Sequence, residues 1–273
     1  MKAAVTMFVL LCAGTVAADP AKDIGDALDK VLWTAGPPTE SRFAFTTYGV
    51  NPLGAEHTAS LAMNDVEASH KVIGLAATGT DAFVATDITA VGDCGGDGNG
   101  CGKPIGWMHG ALLFEKTSDG WLPVVWHVAN LVSTKAAAGA VAPQALVRQV
   151  GGAADLAKLF ESTLADPKAF AKTVSDRPEV VLYGSDRDER VVGGAKVRAK
   201  LQAWNLALTL RDGIQAGLAH GKTLAWVGAN VDARPAASPT SRPTPYRVLA
   251  IYEQTGDVWR LVLLSFSIYT GRS

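Results

Sequence analysis

The chain has 273 residues, with 25 Lys and Arg against 26 Asp and Glu, 48% hydrophobic residues and only 19% charged ones. A balance this neutral and this apolar excludes a disordered tail, a coiled-coil rod and a nucleic-acid binder driven by net charge. The length suits two domains of ordinary size, so an internal duplication is the first thing to look for.

In chain order, residues 1–18 read as a secretory signal. Lys2 supplies the positive region, Ala3 to Ala13 the apolar run, and Val16-Ala17-Ala18 a small-residue cleavage site ahead of Asp19. The apolar run is shorter than the roughly 20 residues a spanning helix needs, and Asp19, Lys22 and Asp23 follow at once. The expectation is an exported protein without a stable membrane anchor after cleavage.

An opening helix is expected from about 22 to 32, then a strand in FAFTTYG (43–49) and another in DAFVATDITAV (81–91). The following stretch, DCGGDGNGC, holds Cys94 and Cys101, the two cysteines left once Cys12 departs with the signal. In an oxidising compartment they are expected to form a disulfide, which stabilises by roughly 2–3 kcal/mol on the chain-entropy model. A calcium loop from Asp93, Asp97 and Asn99 would need more oxygens and a closing bidentate Glu. A redox pair normally has a shorter spacing. No metal and no cofactor is expected.

The stretch WMHGALLFEKTSDGWLPVVWHVAN predicts two antiparallel strands, 107–117 and 121–131, and TPYRVLAIYEQTGDVWRLVLLSFS predicts the same pair at 245–254 and 258–268. With His109 set on Arg247 the two align without a gap, placing Glu115, Thr117, Asp119 and Trp121 on Glu253, Thr255, Asp257 and Trp259, and Phe114 on Tyr252. Upstream, 81–91 lies against LAWVGANVDAR (224–234), with Phe83 on Trp226, and FAFTTYG lies against EVVLYG, with Tyr48 on Tyr183. Three blocks in one order predict a tandem repeat. Unlike insertions, GDCGGDGNGCGKPIG and RPAASPTSRPTP, occupy the same hairpin in each half and read as surface excursions.

Helices are better written in the second half. Leu156, Leu159, Phe160 and Leu164 share one face of a helix from about 153 to 165. Asp166 as N-cap and Pro167 at the first helical position start another, running to about Ser175. A third follows Gly193-Gly194, with Val197, Leu201 and Trp204 inward. Strands near 205–218 and 223–232 follow. The order reads as helix, helix, short strand, helix and three long antiparallel strands.

That order, with YGSDRDERVVGGAKVRAKLQAW and the closing Trp-bearing strand pair, resembles the SnoaL-like branch of the nuclear transport factor 2-like superfamily. The resemblance covers about 151–270 well and 22–134 more faintly. It implies an α+β fold of two tandem cone-like domains, each a curved, mostly antiparallel sheet packed on helices, with residues 135–150 as a partly helical linker. The matching positions are Gly184-Ser185-Asp186, Glu189, Gly193-Gly194 and Trp259. In the first half a helix is missing, and Asn51 and Gly54 replace Asp186 and Glu189, so that copy is expected to be degenerate. Relatives of this type pair through the outer sheet face; along the last strand both faces are apolar. This predicts an intramolecular pseudo-dimer, monomeric as a whole, in a bacterial periplasm or secreted.

Two functions of different class stay open. One is a non-catalytic exported module that binds a small apolar ligand or a protein partner through the second domain, with Tyr183, Glu189, Trp204, Trp226, Asn230 and Tyr252 as candidate ligand contacts. The other is a cofactor-independent isomerase, dehydratase or cyclase, with Asp176 or Asp232 as base and Tyr183 as hydrogen-bond donor. Trp226, Asn230 and Asp232 share strand parity and therefore one face. His109 and His127 are expected on one face of adjacent strands, without a third metal ligand.

Overall fold

The structure is a computed structural model that describes residues 19–33, 42–46, 65–91, 104–131, 139–186 and 188–268. The expected signal, Cys94 and Cys101, Tyr48, Asn51 and Gly54 lie outside the described residues.

Helix α1 (Pro20–Trp33) opens on Asp19, whose Oδ1 accepts from the Ala21 amide at 3.0 Å. Its buried Ile24, Leu28 and Leu32 repeat every four residues, giving one apolar face that packs on a first sheet. That sheet contains β1 (Phe43–Thr46), β2 (Asp65–Leu75), β3 (Asp81–Val91), β4 (Pro104–Thr117) and β5 (Gly120–Asn130), in the order β1-β5-β4-β3-β2. In the second half α2 (Ala154–Leu164), α3 (Pro167–Lys172) and α4 (Gly194–Gln202) cover a sheet of β6 (Val181–Tyr183), β7 (Arg190–Val192), β8 (Leu206–Leu218), β9 (Leu224–Pro235), β10 (Thr244–Thr255) and β11 (Val258–Ser267). Its order is β7-β6-β11-β10-β9-β8. The architecture is α+β, with two antiparallel-rich sheets.

The two sheets match in detail. Each last strand takes an early strand in parallel, Phe43 opposite Val125 and Val181 opposite Leu263. Each closing hairpin carries a bulge at the aligned position, between Leu113 and Phe114 and between Ile251 and Tyr252. The preceding hairpins turn alike. The Gly79 amide donates to the Ala76 carbonyl and the Lys222 amide to the Ala219 carbonyl, with Gly79 and Lys222 both at positive φ. Across the ladder of the same hairpin an aromatic ring covers a glycine in both halves, Phe83 over Gly74 and Trp226 over Gly217. The register also corrects one expected alignment: Phe45, not Tyr48, occupies the rung that Tyr183 takes in the second sheet.

The sheets lie face to face. A continuous apolar layer joins Phe83, Leu113 and Val125 of the first to Trp226, Ile251 and Leu263 of the second. Two arginines tie its ends. Arg177 donates to Glu253 of its own half at 2.9 Å and to the Leu75 carbonyl of the other at 3.1 Å. Arg42 donates to Glu115 of its own half and to the Leu218 carbonyl of the other at 2.8 Å.

Several expectations are revised. The four long strands of the second sheet lie where each was expected, one more than the expected order counted, and β2 and β7 were not expected. The expected partly helical linker is extended over its described part, residues 139–150, and runs beside β8, where the Gly213 amide donates to the Leu146 carbonyl and the Ala216 amide to the Gln149 carbonyl. The simple alternation expected for the last strand fails at its bulge. Leu261 and Leu264 face the helices, while Val262 and Leu263 both face the other sheet.

Candidate functional site

Between the helices and the second sheet lies an open-ended cavity of about 70 Å³. Its walls come from alternate residues of four strands: Leu206 and Leu208 on β8, Ala233 on β9, Tyr246 on β10 and Phe266 on β11, with Leu182 of β6. Phe266 meets Trp204 edge-on with ring centroids 5.3 Å apart, and Tyr246 meets it at 5.9 Å, so the three aromatics form a corner rather than a stack. Burial pushes the Tyr246 phenol upward, with Glu189 acting in the same direction. The polar lining consists of Ser185, Glu189 and Lys200, with the backbone of Gly184.

The loop between β6 and β7 forms part of the lining. Glu189 folds back over it, so that one carboxylate oxygen accepts from the Ser185 amide at 2.9 Å and the Asp186 amide at 3.2 Å. Gly184 is required beneath: a Cβ there would stand 2.1 Å from the Glu189 carboxylate. Glu189, expected to contact ligand, thus also stabilises the turn of its own loop.

Of the candidate ligand contacts, Trp204 and Glu189 line the cavity and the others do not. Tyr183 points the opposite way, into the layer between the sheets, where its ring stacks on His109 at 3.9 Å. Trp226 lies in the same layer. Asn230 is on that face as well, joined to the buried Arg247, whose Nε donates to Asn230 Oδ1 at 2.7 Å. Tyr252 does face the helices, but as a fully buried core residue whose hydroxyl has no hydrogen-bond partner. The expected common face of Trp226, Asn230 and Asp232 is therefore the outer one, away from the cavity.

The expected bases are displaced too. Asp176 is 90% exposed and bound to Arg198, which holds its carboxyl below the usual range. Asp232 pairs with Arg211 at 2.7 Å on β8. Neither borders the cavity, and the Tyr183 hydroxyl that was to assist them lies across the sheet. His109 and His127 occupy the expected common face of β4 and β5, two rungs apart, and both are buried. Among the described residues no group of three metal-binding side chains converges.

The cavity walls that the sequence reading passed over, Leu182, Leu206, Leu208, Tyr246 and Phe266, carry a weak signal. They are ordinary strand residues, and alternation assigns them to a face without saying that the face is incompletely filled.

No family model matches the chain, and no curated protein does. Solved structures do resemble it. An NTF2-like protein of unknown function from Pseudomonas putida KT2440 is 14% identical, covers 42% of this chain and 82% of its own, and has a TM-score of 0.34. A protein from Xanthomonas campestris, described by the association domain of a calcium/calmodulin-dependent protein kinase II, is 14% identical over 47% of this chain and 96% of its own, at 0.37. An LEH-like epoxide hydrolase from M. tuberculosis is 13% identical over 42% and 76%, at 0.31. These are likenesses in chain path over less than half of the protein.

Proposed function

We propose that this chain is an exported, non-catalytic module that holds a small apolar ligand in the cavity of its second half. The observation that carries the reading is the lining: aliphatic and aromatic walls from five strands, with the polar groups confined to Ser185, Glu189, Lys200 and the Tyr246 hydroxyl. Such a lining offers an apolar guest burial without leaving polar atoms unpaired. The volume limits the guest. An engineered cavity of about 150 Å³ takes benzene, so about 70 Å³ admits a ring edge or a short alkyl tail whose remainder stays outside. A proton-transfer enzyme would instead need a carboxylate free to act on the guest; the carboxylate at the lining, Glu189, has an oxygen taken up by the Ser185 and Asp186 amides, and Asp176 and Asp232 are engaged elsewhere. The export part of the reading rests on residues 1–18. Descent of 22–134 and 151–270 from one copied unit is part of the same proposal, supported by the matched registers of the two sheets.

The test is mass spectrometry of small molecules retained by the natively purified protein, together with titration by the apolar dye Nile red. Wild type is expected to retain an alkyl- or aryl-bearing compound or to bind the dye saturably. Ala233→Leu, which projects new carbons into the cavity, is expected to lose both while remaining folded. Equal retention and dye binding by Ala233→Leu, or neither by wild type, would remove the cavity from consideration.

A further inference from the structure

The cavity loop is held at both feet by the other domain. Its feet are Tyr183 and Arg190, which face each other as partners on β6 and β7. Against Tyr183 lies the ring of His109, stacked at 3.9 Å with an interplanar angle of 24°. Arg190 reaches further, donating from Nη2 to the His70 carbonyl at 3.0 Å, and its Nε lies 3.8 Å from Asp87 Oδ1. Asp87 sits at the centre, with its other oxygen 3.0 Å from His70 Nδ1 and its Oδ1 3.6 Å from His109 Nε2. All three first-domain residues come from neighbouring strands. Asp87 on β3 pairs with His109 on β4 and, on its other side, with Ser69 beside His70 on β2. The left-handed backbone of His70, at φ 48°, lies within the bulge that interrupts β2 there.

The corresponding rung of the second sheet is occupied differently. There Asn230 and Arg247 bond each other and reach the Gln144 carbonyl of the connecting segment. The His109–Asp87 rung is turned toward the feet of the cavity loop on the partner sheet.

We propose that the first domain controls the cavity of the second, with His109, Asp87 and His70 acting as positioning residues that pin the feet of the Gly184–Glu189 loop through Tyr183 and Arg190. This rests on the cavity reading only for its consequence on ligands. The pinning itself is a property of the loop. The physical reason is leverage: the loop contributes Gly184, Ser185 and Glu189 to the cavity lining, and its internal bonds from Ser185 and Asp186 to Glu189 fix its shape but not its position. Position is set where it leaves the sheet: the backbone there is laddered to β11 at Ser265, and the side chains of both feet pack on the other domain.

The test uses the full chain and amide hydrogen exchange resolved at Ser185 and Asp186. In His109→Ala these two amides are expected to exchange at least tenfold faster, with the β9–β10 ladder unchanged. His109→Phe, which keeps a ring on Tyr183, is expected to restore slow exchange. Arg190→Gln, at the partly exposed rim, gives the same acceleration by an independent route should His109→Ala not fold. Nile red affinity is expected to follow exchange, falling in His109→Ala and returning in His109→Phe. Unchanged exchange at Ser185 and Asp186 in a folded His109→Ala or Arg190→Gln overturns the proposal. If exchange responds as stated but wild type binds no dye, the pinning stands and the cavity reading fails.

Discussion

His109 and His127 are 2% and 0% exposed, and burial holds both below their ordinary range, His109 at about 4 and His127 at about 3. Asp87 opposes the shift at His109, whereas Arg247 adds to it at His127. In the unfolded chain both would titrate near 6.5. As pH falls below that value, the unfolded state takes up two protons that the fold refuses, so stability declines toward acid. The decline is up to about 1.4 kcal/mol per pH unit for each histidine and levels off below the folded values. Urea unfolding followed from pH 7 to pH 5 is expected to show a falling midpoint, and His127→Gln about half the slope. A flat profile in wild type would show that these rings are charged or exposed in the fold. The histidine pair was legible in the sequence as a shared face. The stacking of His109 on Tyr183 was not, because it joins residues from the two halves of the chain, 74 positions apart.

At the level of elements, the junction before α4 is set by contact distances. A Cβ on Gly194 would lie 2.0 Å from the Ser175 carbonyl oxygen, a backbone atom that cannot swing aside, and Gly193 adopts φ 102°. Gly194→Ala is expected to cost about 1–3 kcal/mol, the range for overpacking. Gly25, within α1, has open space at its Cβ, and Gly25→Ala is expected to add about 0.5–1 kcal/mol. Chemical denaturation of the two variants beside wild type tests both signs. The sequence showed Gly193-Gly194 as a helix start and Asp166-Pro167 as another, and the latter is realised with Asp166 Oδ1 accepting from the Lys168 amide at 2.9 Å. It did not show β2, for a physical reason. The bulge at His70 changes the parity: Val66 and Ala68 face α1 before it, Ile73 and Leu75 after it, and no single alternation spans the segment. The same break at Val262 concealed which face of the last strand met which partner.

For the whole molecule, the layer between the sheets determines how it unfolds. Phe83, Leu113, Val125, Trp226, Ile251 and Leu263 would all reach water if the halves parted. At about 25 cal/mol per Å² of apolar surface, exposing such a layer is prohibitive for a domain of marginal stability. Calorimetry is therefore expected to give one transition for both halves, and Ile251→Asp, which places a carboxylate in the layer, is expected to lower and split it. Two independent wild-type transitions would contradict the packing described. The apolar residues on both faces of the last strand made a covered outer face legible in the sequence. The positions of the ligand candidates were not legible, because parity assigns a side chain to one of two faces but does not identify the cavity face. Tyr183, Trp226 and Asn230 fell on the interface face for that reason.

The extended segment beside β8 has one further effect. By bonding Leu146 and Gln149 to Gly213, Ile214 and Ala216, the chain occupies part of the outer margin of its own second sheet. Exposed margins recruit strands from other molecules, which is how aggregates grow. At the opposite extreme, on β2, the left-handed His70 interrupts the row of donors and acceptors. Neither of these two margins offers a long, unbroken template for a strand from another molecule.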